Sequence, residues 1–518
     1  MAYFSLGTYD ADVRIGAFAG LQQYGDHFNG DVRFSPDEYN VETPAGVLQP
    51  CAAPEILSGS FEGKIETLAR LYRRWYAGTG SKEVLFAAVG GKLYYQIEGT
   101  TTWTQLGFPT GVSSYSSNVW SCVSYEINPE GSEASVDVLL LSNAVDGMIM
   151  VRGDNFAVEA VPTPKKFGAI ERYAERIWGG AITDDPDMLV YSAPFDPRDW
   201  DERKPNCDPD NPPPWTKPGE PEDGAGDISQ PSWDGDSFTA LRAFGNQLIA
   251  FKKTRVWRVM GTDPGEYTFR EQFGGGTPFF NTLAVDTERI LMADKDGLSV
   301  YDGLTVSDYQ RAAIKDLWRE VNPAAMDQMC GVLFKNRYYL AVPLGTATAN
   351  NALIILNKED GTLLCQRDIY IESFLATTDK LYATSSTLPG KVLEIKYDSW
   401  QTGQARGAAT KWVTPWMDFG AKKIQKGGFD LYFLCEVQDD PVTLIFSVQT
   451  EKKVKTKKYT VQPLTAIDRQ NGKNHKQKKL HFGGTGRRFR LIIETAAGVT
   501  APWRLIGGLQ MIVETDYD

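Results

Sequence analysis

"RILMADKDGLSVYDG" (residues 289–303) is two short β-rich runs joined at Asp296-Gly297, and its reading decides the fold. Each run is too short for a helix, is rich in apolar and aromatic residues, and is bounded by turn formers. An Asp-Gly pair suits a two-residue hairpin, whose central positions both need positive φ. The device recurs: "EVLFAAVGGKLYYQI" turns at Gly90-Gly91, "VDVLLLSNAVDGMIMVRG" at Asp146-Gly147, and Asp360-Gly361 repeats it later. "NQLIAFKKTRVWRVMG" (246–261) reads as a further strand pair. These are antiparallel hairpins.

They return every ~40–50 residues, the period of propeller blades. Units fall at about 65–110, 112–162, 165–200, 232–275, 277–312, 324–370 and 371–400, about seven irregular blades over residues 65–400. Two look weakly kelch-like, with Gly90-Gly91 leading to Trp103 and Gly179-Gly180 to Tyr191 and Trp200. Such glycines are expected to let a strand pack near the channel, while the aromatics fill space between blades. Residues 1–64 are read as an N-terminal segment with ring-closing strands. Residues 196–231, rich in Pro, Asp and Gly, break the rhythm as a long irregular loop, functional or disordered. The best helix candidate is 314–329, interrupted at Pro323. Beyond the connector "SWQTGQARGAAT" (399–410), about seven evenly spaced short strands predict a β-sandwich or jelly roll over 401–518. The fold class is all-β.

Composition agrees. With 518 residues, 42% apolar and 23% charged, the chain is globular and long enough for two or more domains. No apolar run approaches the ~20 residues of a spanning helix, so no membrane anchoring is expected. The start, "MAYFSLGTYDADVR", lacks a secretory pattern, and synthesis in a cytosol is expected. The six scattered cysteines are read as free, mostly buried thiols. With three histidines (His27, His475, His481) and no Cys/His cluster, no structural zinc is expected. The net charge of −12 is split: Thr410–Asp518 holds 18 Lys plus Arg against 11 Asp plus Glu, leaving −19 for the rest. Such asymmetry supports a boundary near residue 405.

Propellers host glycosidases, but the nearest approach to an aspartate box, "SWDGDSFTAL" (232–241), lacks the spacing and does not repeat. No G-x-S-x-G elbow occurs, and "GGGTPFF" (274–280) lacks a P-loop ending. "CDPDNPPPW" (207–215) lacks the Gly and distal Glu of an EF-hand, so Asp208, Asp210 and Asn211 read as a solvated turn. The expectation is no enzyme, no cofactor and no metal. Trp215 is either a partner anchor or buried against its own blade. The basic cluster comprises Lys452, Lys453, Lys455, Lys457, Lys458, Lys473, Lys476, Lys478, Lys479, Arg487, Arg488 and Arg490. Three readings stand: phosphate binding, docking onto an acidic partner, or solvated edges that guard against aggregation.

Several elements together resemble a family. "RYAERIWGGAITDDPDMLVYSAPFDPRDW" (172–200) resembles a blade with Arg-x-Trp, a strand ending in Tyr-Ser, and an Asp-Pro-x-x-Trp turn. "YNVETPAGVLQP" (39–50), "FTALRAFGNQLIAFKKTRVWRVMG" (238–261) and "ILMADKDGLSVYDG" (290–303) resemble further elements in the same order. The relatives are tail-nozzle, or packaged-DNA-stabilisation, proteins of short-tailed bacteriophages, and the resemblance covers about residues 35–400. It implies a homo-oligomeric ring, usually sixfold, below portal and adaptor proteins in the virion tail, made in the host cytoplasm. It also implies docking of fibres, spikes or a plug, with double-stranded DNA passing through the lumen without specific binding. An acidic propeller part would repel phosphates, and the basic sandwich would contact an acidic neighbour. Collar, stopper or baseplate roles remain alternatives, as do a glycan-binding or glycoside-cleaving propeller and an intracellular scaffold.

Overall fold

The computed structural model describes residues 9–23, 30–57, 59–74, 82–128, 135–229, 235–420, 426–470 and 476–515. Seven four-stranded antiparallel sheets follow one another, over residues 67–105, 121–161, 169–229, 238–271, 284–308, 330–367 and 373–395. In six of the seven neighbouring pairs of sheets the first strands meet, so these strands ring a central axis. Blade seven takes its outermost strand from the N-terminal segment: Glu55–Ile56 pairs with Glu394 and Leu393, and Leu57 N–H donates to Val392 O at 2.9 Å. The chain is a closed seven-bladed β-propeller.

Blades are wetted on neither face, which is why their second and third strands read as unbroken apolar runs. Val136–Asn143 and Gly147–Arg152 are buried almost throughout. Each interblade layer has its own core. Ala69 and Phe86 meet Leu139 and Val151 between blades one and two, and Trp178 and Leu189 meet Leu241 and Leu248 between three and four. Blades seven and one close the circle through Tyr382 and Val392 against Leu85 and Ala87. The Gly179-Gly180 pair belongs to this packing, not to the channel. A Cβ on Gly179 would lie 2.4 Å from the Phe167 ring, and one on Gly180 would lie 2.9 Å from Leu189.

The hairpin turns differ from the two-residue expectation at the Asp-Gly pairs. Gly90 (φ 58°) and Gly91 (φ 74°) form a two-residue turn with both residues left-handed, between Val89 and Lys92, as Ala174 (φ 50°) and Glu175 (φ 57°) do between Tyr173 and Arg176. Asn143 pairs with Gly147, and Ala293 with Leu298, so those loops hold three and four residues. In these, glycine alone takes positive φ, and a preceding Asx side chain caps the turn. Asn143 Oδ1 accepts from the Val145 and Asp146 amides, and Asp294 Oδ1 from the Asp296 and Gly297 amides.

Three further expectations need correction. Blade three extends past residue 200, because its outer strand is Gly226–Ser229, paired with Met188–Tyr191. The loop before it is built: Glu202–Lys204 runs parallel to Thr216–Pro218. The 314–329 stretch carries one short α-helix, Lys315–Arg319, between two 3-10 turns, and the second turn starts at Pro323.

The C-terminal sandwich packs two four-stranded sheets. One orders Tyr9–Ile15, Trp503–Thr515, Lys426–Val437 and Lys476–Gly486, and the other orders Thr410–Val413, Phe489–Thr495, Val442–Thr450 and Val454–Val461. It therefore has eight strands, one supplied by the N-terminal segment, and a single core including Phe429, Phe433, Phe446 and Trp503. Residues 35–52 run between the two bodies. Tyr39 bridges to Lys411 of the sandwich, the Asn40 amide donates to Cys365 O of blade six, and Leu48 bridges to Leu505. The sandwich therefore sits on the rim of the propeller beside blades six and seven.

Candidate functional site

Strand Val454–Val461 is an edge of its sheet, and its pairing shows where each lysine points. Val448, Phe446, Leu444 and Val442 face the core and stand opposite Lys455, Lys457, Tyr459 and Val461. Lys455 and Lys457 therefore project inward, along the seam between the sheets. Across that seam is the other free edge, Lys476–Gly486, where Lys478 and Phe482 stand opposite the buried Phe433 and Phe429. The two edges exchange cation–π contacts: Lys457 Nζ lies 5.8 Å from the Phe482 ring, and Lys478 Nζ lies 5.8 Å from the Tyr459 ring. Charges turned inward at an edge block edge-to-edge pairing.

That accounts for part of the cluster. Lys479 is ion-paired with Asp430 at 2.8 Å, which raises its pKa, and lies over Tyr432. Asp430 also meets His481 at 2.7 Å; its carboxyl is lowered, because these two bonds outweigh burial. Arg490 donates to Gln449 and covers Trp416. Arg487 presents its backbone, its amide donating to Glu451 and its carbonyl accepting from Lys426, and Arg488 is half-buried. Lys452, Lys453, Lys455 and Lys458 are exposed and make no ion pair among the described residues. Lys452, Lys453, Lys455 and Lys457 wall a cavity of about 520 Å³ over Phe429, Phe482 and Phe489, with Gly483-Gly484 opposite. His27, Lys473, His475 and the side chain of Lys476 lie outside the described residues.

Trp215 stands on the long loop with 40% of its surface exposed and its backbone left-handed (φ 57°). Such a conformation costs a bulky residue ~1–3 kcal/mol and persists only where surroundings enforce it. They do. Trp215 O accepts from the Glu202 amide at 2.8 Å, and Arg203 is ion-paired with Asp199 beneath. Arg176, 1% exposed, fastens the loop's far end through bonds to Ser192 O (2.9 Å), Gly224 O (2.5 Å) and Glu222 O (2.5 Å). Asp208 Oδ1 accepts the Asp210 amide, an ordinary Asx turn.

The propeller axis holds a cavity of about 440 Å³ bordered by Leu68, Trp120, Leu139, Leu375, Arg70, Arg242 and Glu171. Burial raises the Glu171 carboxyl and lowers Arg242, each opposed by the other's charge. Glu171 is the one carboxylate bordering that cavity among the described residues, while an adjoining cavity that shares Leu68, Val119, Trp120 and Asn281 is bordered by Glu66, Asp327 and Glu372. At the mouths, Glu372 is paired with Lys64 (3.1 Å), and Glu126 and Asp137 with Arg74 (3.1 and 2.9 Å). Among the described residues no three His, Cys, Asp or Glu side chains converge as a metal site would need, and no helix is long and apolar enough to cross a membrane.

Sequence reasoning missed a buried acidic pair at the propeller–sandwich junction. Glu42 accepts the amides of Asp398 (2.9 Å) and Ala52 (3.3 Å), and burial pushes its carboxyl up to about 7. Glu38 is buried without a hydrogen bond to either oxygen; desolvation, helped by Asp37, raises it well above its ordinary value. Both lie in or beside "YNVETPAGVLQP", a run that turns left-handed at Asn40 (φ 59°) and Ala45 (φ 50°).

The fold thus defines a closed seven-bladed propeller with a β-sandwich on its rim. No protein-family model matches the chain, and no curated protein does. Similar solved structures include the Pan2 WD40 domain of Neurospora crassa (10% identity, TM-score 0.36, 65% of this chain and 90% of that one). A BBS1N–ARL6DN complex matches at 10% identity and TM-score 0.36, over 67% of this chain and 97% of that one. The dihydro-heme d1 dehydrogenase NirN matches at 10% and 0.36, over 69% and 70%.

Proposed function

We propose that this chain is a structural protein of a bacteriophage tail, a subunit of a ring that extends the DNA channel below the portal and adaptor. There it retains packaged DNA and docks fibres, spikes or a plug. The observation that carries the reading is the division of the body into an acidic propeller and a basic sandwich joined along one rim. It stands beside the order of blade elements resembling tail-nozzle proteins. The axial cavity of about 440 Å³, bordered by Leu68, Trp120, Leu139, Leu375 and two arginines, is too small to admit a duplex. The DNA conduit therefore belongs to the space enclosed by several copies, where acidic surfaces repel phosphates and let a duplex slide.

Quantitative peptide mass spectrometry of gradient-purified particles tests this. About half as many copies as portal subunits is expected, as a sixfold ring beneath a twelvefold portal requires. Several-fold more copies would make it a spike, fibre or decoration protein. Absence from particles would refute the virion role and make sugar release the next assay.

A further inference from the structure

The acidic loop and the basic seam lie on opposite sides of the molecule. The loop leaves blade three between its third and outermost strands, and the sandwich lies against blades six and seven. In a ring of seven, blade three is as far from that boundary as any blade can be. One molecule therefore cannot bring its own loop to its own seam, whereas a second copy can.

We propose that the lysine-walled cleft of the sandwich receives the acidic loop 205–224 of a second copy. The charges match. Asp208, Asp210, Glu220, Glu222 and Asp223 are exposed on the loop, with Lys217 the one base, and Lys217 is already held by Asp201 at 2.6 Å. None of the five acids makes an ion pair among the described residues. Opposite, Lys452, Lys453 and Lys455 make no ion pair among the described residues, and Glu451 beside them accepts the Arg487 amide. Shape agrees as well. The cleft wall at Gly483-Gly484 carries no side chains, and a Cβ on either residue would meet nothing within 4 Å. Trp215, held out in a left-handed conformation at the middle of the loop, is the apolar anchor for the aromatic floor.

Such a contact is heterologous: the surface given differs from the surface received. Repetition therefore yields a closed ring or an open filament, never an isolated dimer. The proposal shares with the preceding reading only the need for more than one copy. It is tested in solution, so it can fail while the particle count succeeds, and the reverse.

Sedimentation velocity of the full chain, across concentration and salt, is the experiment. The wild type is expected to assemble at low ionic strength and to weaken as salt rises, since contacts between exposed charges are screened beyond ~8 Å at physiological salt. K452Q/K453Q/K455Q and E220Q/E222Q/D223N should each lower the association constant by about tenfold or more. The decisive arm mixes these two variants. The first keeps a native loop and the second a native cleft, so together they should form one-to-one dimers that do not grow. Dimer formation also shows that both are folded. A monomeric wild type, variants that assemble like it, or a mixture that stays monomeric would overturn the proposal. Unchanged self-association with loss of binding to heparin in the lysine variant would assign the cleft to a foreign polyanion instead.

Discussion

Replacing Arg176 by methionine probes how the long loop is held, and its size can be worked from the structure. The guanidinium is 1% exposed and donates to three carbonyls, Ser192, Gly224 and Glu222, while stacking 5.3 Å from the Tyr191 ring. A bond from a charged donor is worth ~1.5–3 kcal/mol, and a buried carbonyl left unmet costs ~1–3 kcal/mol. Glu222 is exposed, so water can take over its carbonyl, whereas Ser192 and Gly224 are buried. Methionine restores most of the apolar stem. The balance is about 4 kcal/mol of local stability, a factor of ~10³ in the opening equilibrium. Hydrogen exchange reads this directly. The amides of Glu202, Gly224 and Ala225 should exchange faster by that factor, while strand Gln247–Lys252 in blade four stays protected. Arg176→Lys, which keeps the charge but cannot span three carbonyls, should fall between. A change below tenfold at the loop, or equal loss in every blade, would refute the account of Arg176 as a local staple.

Three further outcomes follow from other contacts. Glu42 has a folded pKa of about 7, above its unfolded value, so it favours the folded state most at low pH, and this advantage is lost as pH rises through 7. Denaturation should show stability falling by ~3 kcal/mol between about pH 4.5 and 7 from this group, and Glu42→Gln should flatten that slope; an unchanged slope would clear Glu42. Gly179→Ala sets a methyl 2.4 Å from Phe167, so thermal unfolding should show a loss of about 1–3 kcal/mol, partly recovered by adding Phe167→Leu. Leu57→Pro deletes the bond to Val392 O and should cost about 1–3 kcal/mol, with exchange rising first at Leu393; wild-type behaviour would mean the closing strand does not hold the ring.

The legible part of the fold was the part written in local pattern. Runs such as Val136–Leu141 announce strands because both blade faces are buried, and Gly90-Gly91 announces its own turn. Asp-Gly pairs marked the hairpins but not their loop lengths, which depend on the Asx caps Asn143 and Asp294, three and two residues upstream. Pairings across long separations left no such mark. Gly226–Ser229 joins blade three after a 34-residue excursion from Tyr191, and Tyr9–Ile15 pairs with Leu509–Thr515 at the far end of the chain. The basic cluster was visible as composition, and its inward half was written in the period of two: Lys455, Lys457, Tyr459 and Val461 share one face. The junction carboxylates were invisible, since nothing in "YNVETP" says that Glu38 and Glu42 will be enclosed by two bodies.

The pairing of Tyr9–Ile15 with the last strand carries a consequence for synthesis. At ~5–20 residues per second, the first strand leaves the ribosome and waits roughly 25–100 seconds for its partner. Glu55–Ile56 waits about two-thirds as long for blade seven. Through that interval both segments are unpaired edges, open to the wrong neighbour in a crowded polysome. A chain released after blade seven has a closed ring but lacks strand Trp503–Thr515, so its sandwich is incomplete. Translation to the final strand thereby acts as a checkpoint on which molecules can join an assembly.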